Sequence, residues 1–211
     1  MKTKAIFLSL LFLVMCIIST AQETNKNYLF SYKGKKKEHT VGMYGSLGGT
    51  YSTVMDESAN WLTARVGVVI DEHWGIGLAH SALNYDHELS QLVTDGTYHL
   101  QGAYSGMFLE YLVPFNNWGK LSISWTSGMG LLFYQYDKEY RKALTWTDEY
   151  IDAERFAANE FGAEFMIHVA GNWWVGLEGS YRNTSPIKML GVEEDVLQKF
   201  NAGITVRYGI F

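Results

Sequence analysis

Carboxylates, histidines and serines stand at a few places in the sequence where they could do chemistry together. Glu164 and Glu178 could act as a general acid and a general base if they share one site. The stretch "AHSALNYDHELS" places His80 directly beside Ser81, and a histidine next to a serine is the arrangement that activates a serine nucleophile. A second such set follows in the same stretch: Asp86, His87 and Ser90.

The elements that carry these residues decide which of them can meet. Apolar and polar residues alternate here, which predicts a strand whose successive side chains point to opposite faces. His80 and Ser81 therefore cannot form a nucleophile–base pair, whereas the set in the following loop can. His73, His80 and His87 fall in a turn, a strand and a loop, so they cannot converge on one metal ion. The sequence predicts no metal site and no cofactor.

The alternation recurs eight times after residue 39. In the second of these runs Ala64, Val66 and Val68 alternate with Arg65 and Gly67, which gives one apolar and one polar face. Each run reaches the roughly 9–11 residues that a tilted strand needs to cross a bilayer. The predicted strands span 40–52, 60–71, 74–85, 99–113, 120–137, 157–170, 173–184 and 199–211.

The connections between these strands alternate in length. The links "DEHW", "PFNNWG" and "AGNW" are short, whereas 53–59, 86–98, 138–156 and 185–198 are long and polar. Short turns at one rim, long loops at the other and an even strand number are typical of bacterial outer-membrane barrels. Aromatic residues near both rims predict two interfacial girdles. They are Trp74, Tyr111, Trp118, Trp173 and Trp174 at the short turns, and Tyr51, Trp61, Tyr85, Tyr98, Tyr134 and Tyr136 at the long loops.

The composition agrees with a lipid-facing surface. The chain holds 21 Gly, 14 Tyr, 11 Phe and 7 Trp but 2 Pro, and 18% of its residues are charged, below the usual quarter. Its formal net charge of −5 disfavours nucleic acid as a partner. The single cysteine, Cys16, lies in the leader, so no disulfide or thiolate chemistry is expected.

The N-terminal residues predict export. Lys2 and Lys4 precede an apolar run and small residues that end at Ala21, which is the pattern of a cleaved signal peptide. The predicted organisation is a signal peptide at 1–21, a basic periplasmic segment at 22–39 and the barrel at 40–211. The basic segment has a net charge of +3 and the four long links have a net charge of −8, so the segment suits anionic headgroups on the periplasmic side.

The last predicted strand, "KFNAGITVRYGIF", resembles the C-terminal assembly signal of outer-membrane barrels. Asn201, Gly203, Val206 and Tyr208 match its spacing, and Phe211 is the terminal phenylalanine typical of it. The chain after the leader resembles the small eight-stranded outer-membrane proteins, and "STAQ" resembles cleavage sites common in Bacteroidetes. The resemblance implies an all-β, antiparallel up-and-down transmembrane barrel with both termini periplasmic. Its implied partners are the barrel assembly machinery, lipopolysaccharide and phospholipid.

Eight strands enclose an interior that side chains just fill. The polar faces of the strands point inward, and we expect their charges to form a structural ion-pair network, because no substrate could reach them. Arg65 is the expected cation beside Glu164 and Glu178. The inward residues of this network are Arg65, Glu110, Glu160, Glu164, Glu178, Arg182 and Arg207, with His168 near them.

The function expected from these features is a non-enzymatic outer-membrane barrel that displays its loops. Loop 138–156 carries the candidate surface-binding residues Tyr140, Leu144, Trp146 and Tyr150, because its aromatics favour an ordered hairpin over disorder. Two alternatives remain: an acyltransferase or deacylase of lipid A that uses loop 86–98, as in some small barrels, and a small-solute channel. Outward small residues, which include Gly45, Gly49, Ser105 and Ser127, leave the oligomeric state open.

An epitope tag inserted after Gln22 tests the orientation. With an even strand number both ends of the chain lie in the periplasm, so antibody should label this tag after permeabilisation and not on intact cells. A tag inserted in loop 138–156 is the control and should be labelled on intact cells. Labelling of the Gln22 tag on intact cells would contradict the topology.

Trypsin added to intact cells tests the shape of loop 138–156. A hairpin that projects beyond the barrel should be cut after Arg141 or Lys142. A loop folded over the barrel mouth would protect both bonds. Complete resistance, with cleavage restored in urea, would therefore overturn the projecting hairpin.

Overall fold

A computed structural model of the chain describes residues 30–33, 38–85, 89, 98–115, 118–136, 142 and 150–210. No helix within these ranges is long and apolar enough to cross a membrane. The described residues form nine strands: β1 (Phe30–Lys33), β2 (Glu38–Val54), β3 (Glu57–Ile70), β4 (Trp74–Asn84), β5 (Tyr98–Phe115), β6 (Gly119–Tyr136), β7 (Tyr150–Ala170), β8 (Trp173–Thr184) and β9 (Phe200–Ile210).

Eight of the strands, β2 to β9, close into one antiparallel ring. Each strand pairs with the next in chain order, and β2 also pairs with β9. This is the up-and-down barrel that the sequence predicts, so the fold class is confirmed. The strand bounds agree with the predicted ones to within a few residues, except that β7 starts at Tyr150 instead of residue 157.

The predicted long link at 53–59 is wrong. β2 runs to Val54 and β3 starts at Glu57, so Met55 and Asp56 alone make the turn. Their φ angles of 51° and 62° lie in the left-handed region used by type I′ turns, whose twist matches that of the flanking strands. The polar residues that predicted a loop are instead outward side chains of a hairpin, as at Thr53 and Ser58.

The short strand β1 covers the part of β2 that β9 leaves open. β9 pairs with β2 as far as Met43, which faces Ile210, and β1 pairs from Val41, which faces Phe30. Because β3 holds the other edge of β2 at Val41, β1 and β9 lie end to end along one edge. Backbone groups of β2 that would otherwise lack partners are thereby paired. The segment predicted at 22–39 thus includes a strand; its residues 22–29 and 34–37 lie outside the described ranges.

The predicted aromatic girdle is present at the short-turn rim. Trp74, Tyr111, Trp118 and Trp173 are exposed on the outer face there. Trp74 packs against Tyr111 with ring centroids 4.8 Å apart. Trp174, which was predicted to join them, is buried inside the barrel, because its neighbour Trp173 already takes the outward position.

The predicted girdle at the long-loop rim is mostly wrong. Tyr51 is exposed, but four of its predicted partners are buried inside the barrel: Trp61, Tyr85, Tyr98 and Tyr134. Trp61 is four residues from the inward Arg65 and therefore shares its face. The barrel interior continues beyond the predicted outer interface, so these rings fill it instead of facing lipid.

The outer face of the ring is an apolar band. Large apolar side chains project from every strand, and several expose more than half of their surface: Leu47, Leu62, Val66, Leu78, Met107, Ile123, Leu177 and Ile204. A continuous apolar surface of this extent is unfavourable in water and favourable in lipid. The band therefore marks the part of the barrel that spans a bilayer.

Paired glycines allow β5 and β6 to approach closely. Gly106 lies opposite Gly128. A Cβ on Gly106 would stand 2.2 Å from the carbonyl oxygen of Ser127, and one on Gly128 would stand 2.2 Å from that of Ser105. Any side chain here would force the two strands apart, so this pair sets the local curvature of the wall.

Replacing Gly106 by alanine should destabilise the barrel. The new methyl group has no room beside Ser127, and overpacking of this kind typically costs about 1–3 kcal/mol. Gly49→Ala is the matched control, because a Cβ at Gly49 would meet no atom within 4 Å. Urea unfolding in detergent, followed by tryptophan fluorescence, measures both free energies. Equal unfolding midpoints for the two variants would contradict the close approach.

Candidate functional site: the filled lumen

Charged side chains from both sides of the ring meet in the middle of the lumen. Arg65 of β3 and Arg207 of β9 occupy one row, on either side of Ser46 of β2. The glutamates come from β5, β7 and β8, and each of them is almost fully buried: Glu110, Glu160, Glu164 and Glu178. The inward positions predicted for the network are therefore all lumenal.

Arg207 contacts two glutamates at once. Its Nη1 lies 3.1 Å from Oε1 of Glu110, and its Nη2 lies 2.7 Å from Oε2 of Glu164. The guanidinium carbon lies 4.1 Å from the ring centroid of Tyr44, whose hydroxyl donates to Glu110. The hydroxyl of Thr205 donates to Glu164. Arg207 therefore links β5 and β7 to β9 across the interior.

Arg65 contacts one glutamate and not the two that the sequence suggested. Its Nη2 lies 2.5 Å from Oε1 of Glu178, while the cation in contact with Glu164 is Arg207. Glu164 and Glu178 lie directly opposite each other on β7 and β8, so their charges repel. Two separate arginines, one for each acid, offset that repulsion.

The third ion pair joins neighbouring strands. Arg182 of β8 lies opposite Glu160 of β7, and its Nε is 2.9 Å from Oε2 of that glutamate. Tyr104 and Ser180 also donate hydrogen bonds to Glu160, at 2.6 Å and 2.8 Å. The guanidinium carbon of Arg182 stacks 3.8 Å from the ring centroid of Trp61. The carboxylate is thus both paired and hydrogen-bonded, as a buried charge requires.

Sequence reasoning missed a fourth buried base, Lys120. Its side chain is inside the barrel, with Nζ 4.9 Å from the ring centroid of Trp174. Its spacing of two from the inward Ser122 is the signal that places it on the inward face of β6. His168 lies at the same rim, where its Nε2 is 2.8 Å from the carbonyl oxygen of Gly171.

Buried apolar side chains pack in the lumen on both sides of the charges. Toward the short turns the layer consists of Tyr44, Val69, Ala79, Phe108, Leu112, Met166 and Trp174. Toward the long loops it is larger, and its aromatic and large aliphatic members include Trp61, Tyr98, Leu100, Tyr104, Leu132, Tyr134 and Phe156. The ion pairs are therefore enclosed above and below by packed apolar side chains.

The link between β8 and β9 lies over the outer apolar layer. Ile187, Val196 and Leu197 of this link are almost fully buried against it. The hydroxyl of Tyr134 donates to the carbonyl oxygen of Leu190 at 2.9 Å. The link acts as a lid on the barrel mouth.

Some of the other predicted residues lie within the described ranges. Asn201 and Gly203 of the assembly signal face inward and Val206 and Tyr208 face outward. Tyr150 is the first residue of β7. The roles predicted for these residues stay predictions. The remaining candidates lie outside the described ranges: Asp86, His87, Ser90, Tyr140, Leu144, Trp146 and Phe211.

His80 has a serine partner that the sequence did not indicate. Its Nδ1 lies 2.8 Å from Oγ of Ser105, and both side chains are exposed on the outer face of the ring. The two residues are opposite each other on β4 and β5. Ser81 faces the lumen, where its hydroxyl lies 3.0 Å from that of Thr63. The alternation correctly separated His80 from Ser81, but the partner depends on the register of two strands.

No family model and no curated protein matches the chain. Solved structures do match it. Neisserial surface protein A is 10% identical with a TM-score of 0.51, over 81% of this chain and 96% of that one. The chain has the fold of the small outer-membrane barrels. The N-terminal β-barrel domain of Pseudomonas aeruginosa OprF also matches, with 9% identity and a TM-score of 0.49 over 80% of this chain and 96% of that one. Ail of Yersinia pestis matches with 10% identity and a TM-score of 0.48 over 80% of this chain and 97% of that one. At these identities the likeness concerns the fold.

Arg207→Ala should destabilise the barrel more than any single change in the other two ion pairs. Loss of one partner of a buried ion pair typically costs about 3–5 kcal/mol. Removal of the Arg207 side chain leaves two glutamates, Glu110 and Glu164, without their arginine. Arg65→Ala leaves one glutamate, Glu178, without its arginine. Lys188→Ala is the control and should have little effect, because Lys188 is exposed on the lid. The free energies come from urea unfolding in detergent.

A double variant separates the ion pair from simple loss of packing. Arg65→Ala with Glu178→Gln leaves no uncompensated charge at that pair, so it should be more stable than Arg65→Ala alone. A double variant that is less stable than the single one would contradict the charge argument.

Proposed function

We propose that this chain is an integral outer-membrane protein with a closed, non-conducting barrel, and that it acts through its surface loops instead of through catalysis. The filled lumen carries this proposal. Three arginines and four glutamates form ion pairs there, and apolar layers and the lid lie on either side of them. These buried side chains occupy the lumen at the level of the ion pairs, which supports a barrel that neither conducts nor admits a substrate.

The barrel size supports a closed lumen. In an eight-stranded barrel the interior is just wide enough for side chains, whereas aqueous channels need about 16 strands. Each lumenal glutamate accepts a hydrogen bond from a neighbouring side chain, which leaves it occupied in a structural role. Glu164 and Glu178 are therefore unsuited to general acid–base chemistry on an external molecule.

The uneven rims support a role on the loop side. The turns at Asp71–His73 and Gly171–Asn172 are short, and β2 begins and β9 ends at the same rim. At the other rim β7 extends back to Tyr150, well beyond the apolar band. We assign this rim to the cell exterior, where the loops are available to partners.

Electrical recording tests the closed lumen. Purified protein in planar bilayers should show no steady single-channel current, while a 16-stranded porin in the same bilayers confirms that the assay detects channels. Lipid A from cells that display the folded protein should have the same mass profile as lipid A from cells without it. Reproducible openings would favour a channel, and a changed lipid A profile would favour an enzyme.

A further inference from the structure

A polar pair lies within the apolar band. His80 and Ser105 point outward and hydrogen-bond to each other at 2.8 Å. Leu78 and Met107, their outward neighbours one step toward the short turns, each expose 60% of their surface. Polar side chains on the lipid face of a barrel are unfavourable unless they find partners. The pair therefore indicates that the lipid beside this part of the barrel offers a polar partner.

The pair lies in the half of the band that is nearer to the loops. Trp74 and Tyr111 of the girdle lie opposite each other on β4 and β5. His80 is six residues from Trp74 along β4, and Ser105 is six residues from Tyr111 along β5. With the usual rise and tilt this is about 15 Å above the aromatic girdle, in a band about 25 Å tall. On the outer-membrane placement proposed above, the pair faces the outer leaflet.

The hydrogen bond between His80 and Ser105 uses only one of the two N–H and O–H donors of the pair. If the Ser105 hydroxyl donates to Nδ1, the proton of His80 is on Nε2 and faces lipid. If Nδ1 donates to Oγ, the hydroxyl proton of Ser105 is left over instead. No other described side chain hydrogen-bonds to His80. In either tautomer the pair presents a donor to lipid, and the acceptors that an acylated lipid offers are its ester and amide carbonyls.

A groove beside the pair has a largely apolar lining, which suits an acyl chain. It has a volume of about 740 Å³, and its lining includes Ala64, His80 and Ser105 with Leu78, Met107 and Met129. Small side chains and long apolar side chains both line it. A second depression of about 450 Å³ shares Ser105 and Met129 and reaches Arg155 of β7.

Arg155 supplies a cation toward the loop side of the pair. Ser105 of β5 lies opposite Met129 of β6, and Met129 lies opposite Ala157 of β7. Arg155 is two residues from Ala157 along β7, toward the loops. Its side chain is exposed and forms no ion pair with any described residue. An exposed arginine at the edge of the apolar band is well placed for a lipid phosphate.

We propose that His80, Ser105 and Arg155 form a binding site for a phosphorylated, acylated glycolipid of the outer leaflet, namely lipid A. One acyl chain lies in the groove between Leu78 and Met107. The leftover donor of the His80–Ser105 pair binds a carbonyl at the head of that chain, and Arg155 binds a phosphate. The proposal rests on the outer-membrane placement and adds a lipid site to it.

The pair binds and does not cleave. A serine nucleophile needs a base held by a third group and donors that stabilise the oxyanion. Within the described ranges no carboxylate hydrogen-bonds to His80, whose side-chain partner is Ser105. The geometry therefore supplies recognition of an ester or amide without the groups that hydrolyse it.

Native mass spectrometry of the full chain in detergent tests the site. The probes are lipid A, dephosphorylated lipid A and phosphatidylglycerol, each titrated separately. Lipid A should bind most tightly, and removal of its phosphates or the Arg155→Ala change should each weaken binding about tenfold, the usual effect of one charge-assisted hydrogen bond. His80→Ala with Ser105→Ala should weaken binding about fivefold, as for a neutral hydrogen bond.

Two further variants keep the result specific. Ala64→Phe fills the groove, leaves all polar groups in place and should also weaken binding. Asn183→Ala changes an exposed residue of β8, away from the groove, and should bind lipid A as the wild type does. Unfolding in urea confirms that each variant is folded.

The outcomes distinguish this site from the function proposed above. Equal affinity of the wild type, the double variant and Ala64→Phe would overturn the site and leave the closed barrel intact. Equal affinity for phosphatidylglycerol would overturn the choice of lipid A. A bound lipid A that has lost an acyl chain would support the site's location and overturn the non-enzymatic role.

Discussion

Arg207 joins the two halves of the barrel interior. It contacts Glu110 of β5 and Glu164 of β7 from its position on β9, the last strand of the ring. Buried carboxylates are unfavourable unless a cation and hydrogen-bond donors compensate them. Glu110 and Glu164 therefore gain their cation only when β9 takes its place in the ring, so closure of the wall also neutralises these two acids. Arg65 and Arg182 complete the set from β3 and β8.

The apolar layers strengthen these ion pairs. Trp61 and Tyr44 lie against the guanidinium groups of Arg182 and Arg207, and they keep water from both. Electrostatic attraction grows as water is excluded, so packed rings above and below raise the strength of every pair between them. The lid over the outer layer extends the same exclusion to the mouth of the barrel.

The fold could be predicted because strand alternation is a local property of the sequence. The inward positions of the charged residues followed from a period of two, and all seven charged residues expected inside the barrel are there. The pairings across the lumen could not be predicted, because they depend on the diameter and shear of the closed ring. Arg65 illustrates this, because whether it reaches Glu164 or Glu178 depends on both the diameter and the shear of the ring. The His80–Ser105 pair and the turn at Met55 were missed for related reasons: one depends on register, and the other has no glycine to mark it.

The short strand β1 gives the barrel a self-completed seam. Where two strands of unequal length close a ring, the longer one is left with a free edge, and such an edge invites strand addition from another chain. In this protein four residues of the same chain already occupy that edge of β2. Intermolecular β-augmentation at the seam therefore has to displace an intramolecular strand, which has the advantage of a tether. The barrel is protected against edge-to-edge aggregation at the place where such a ring is most vulnerable.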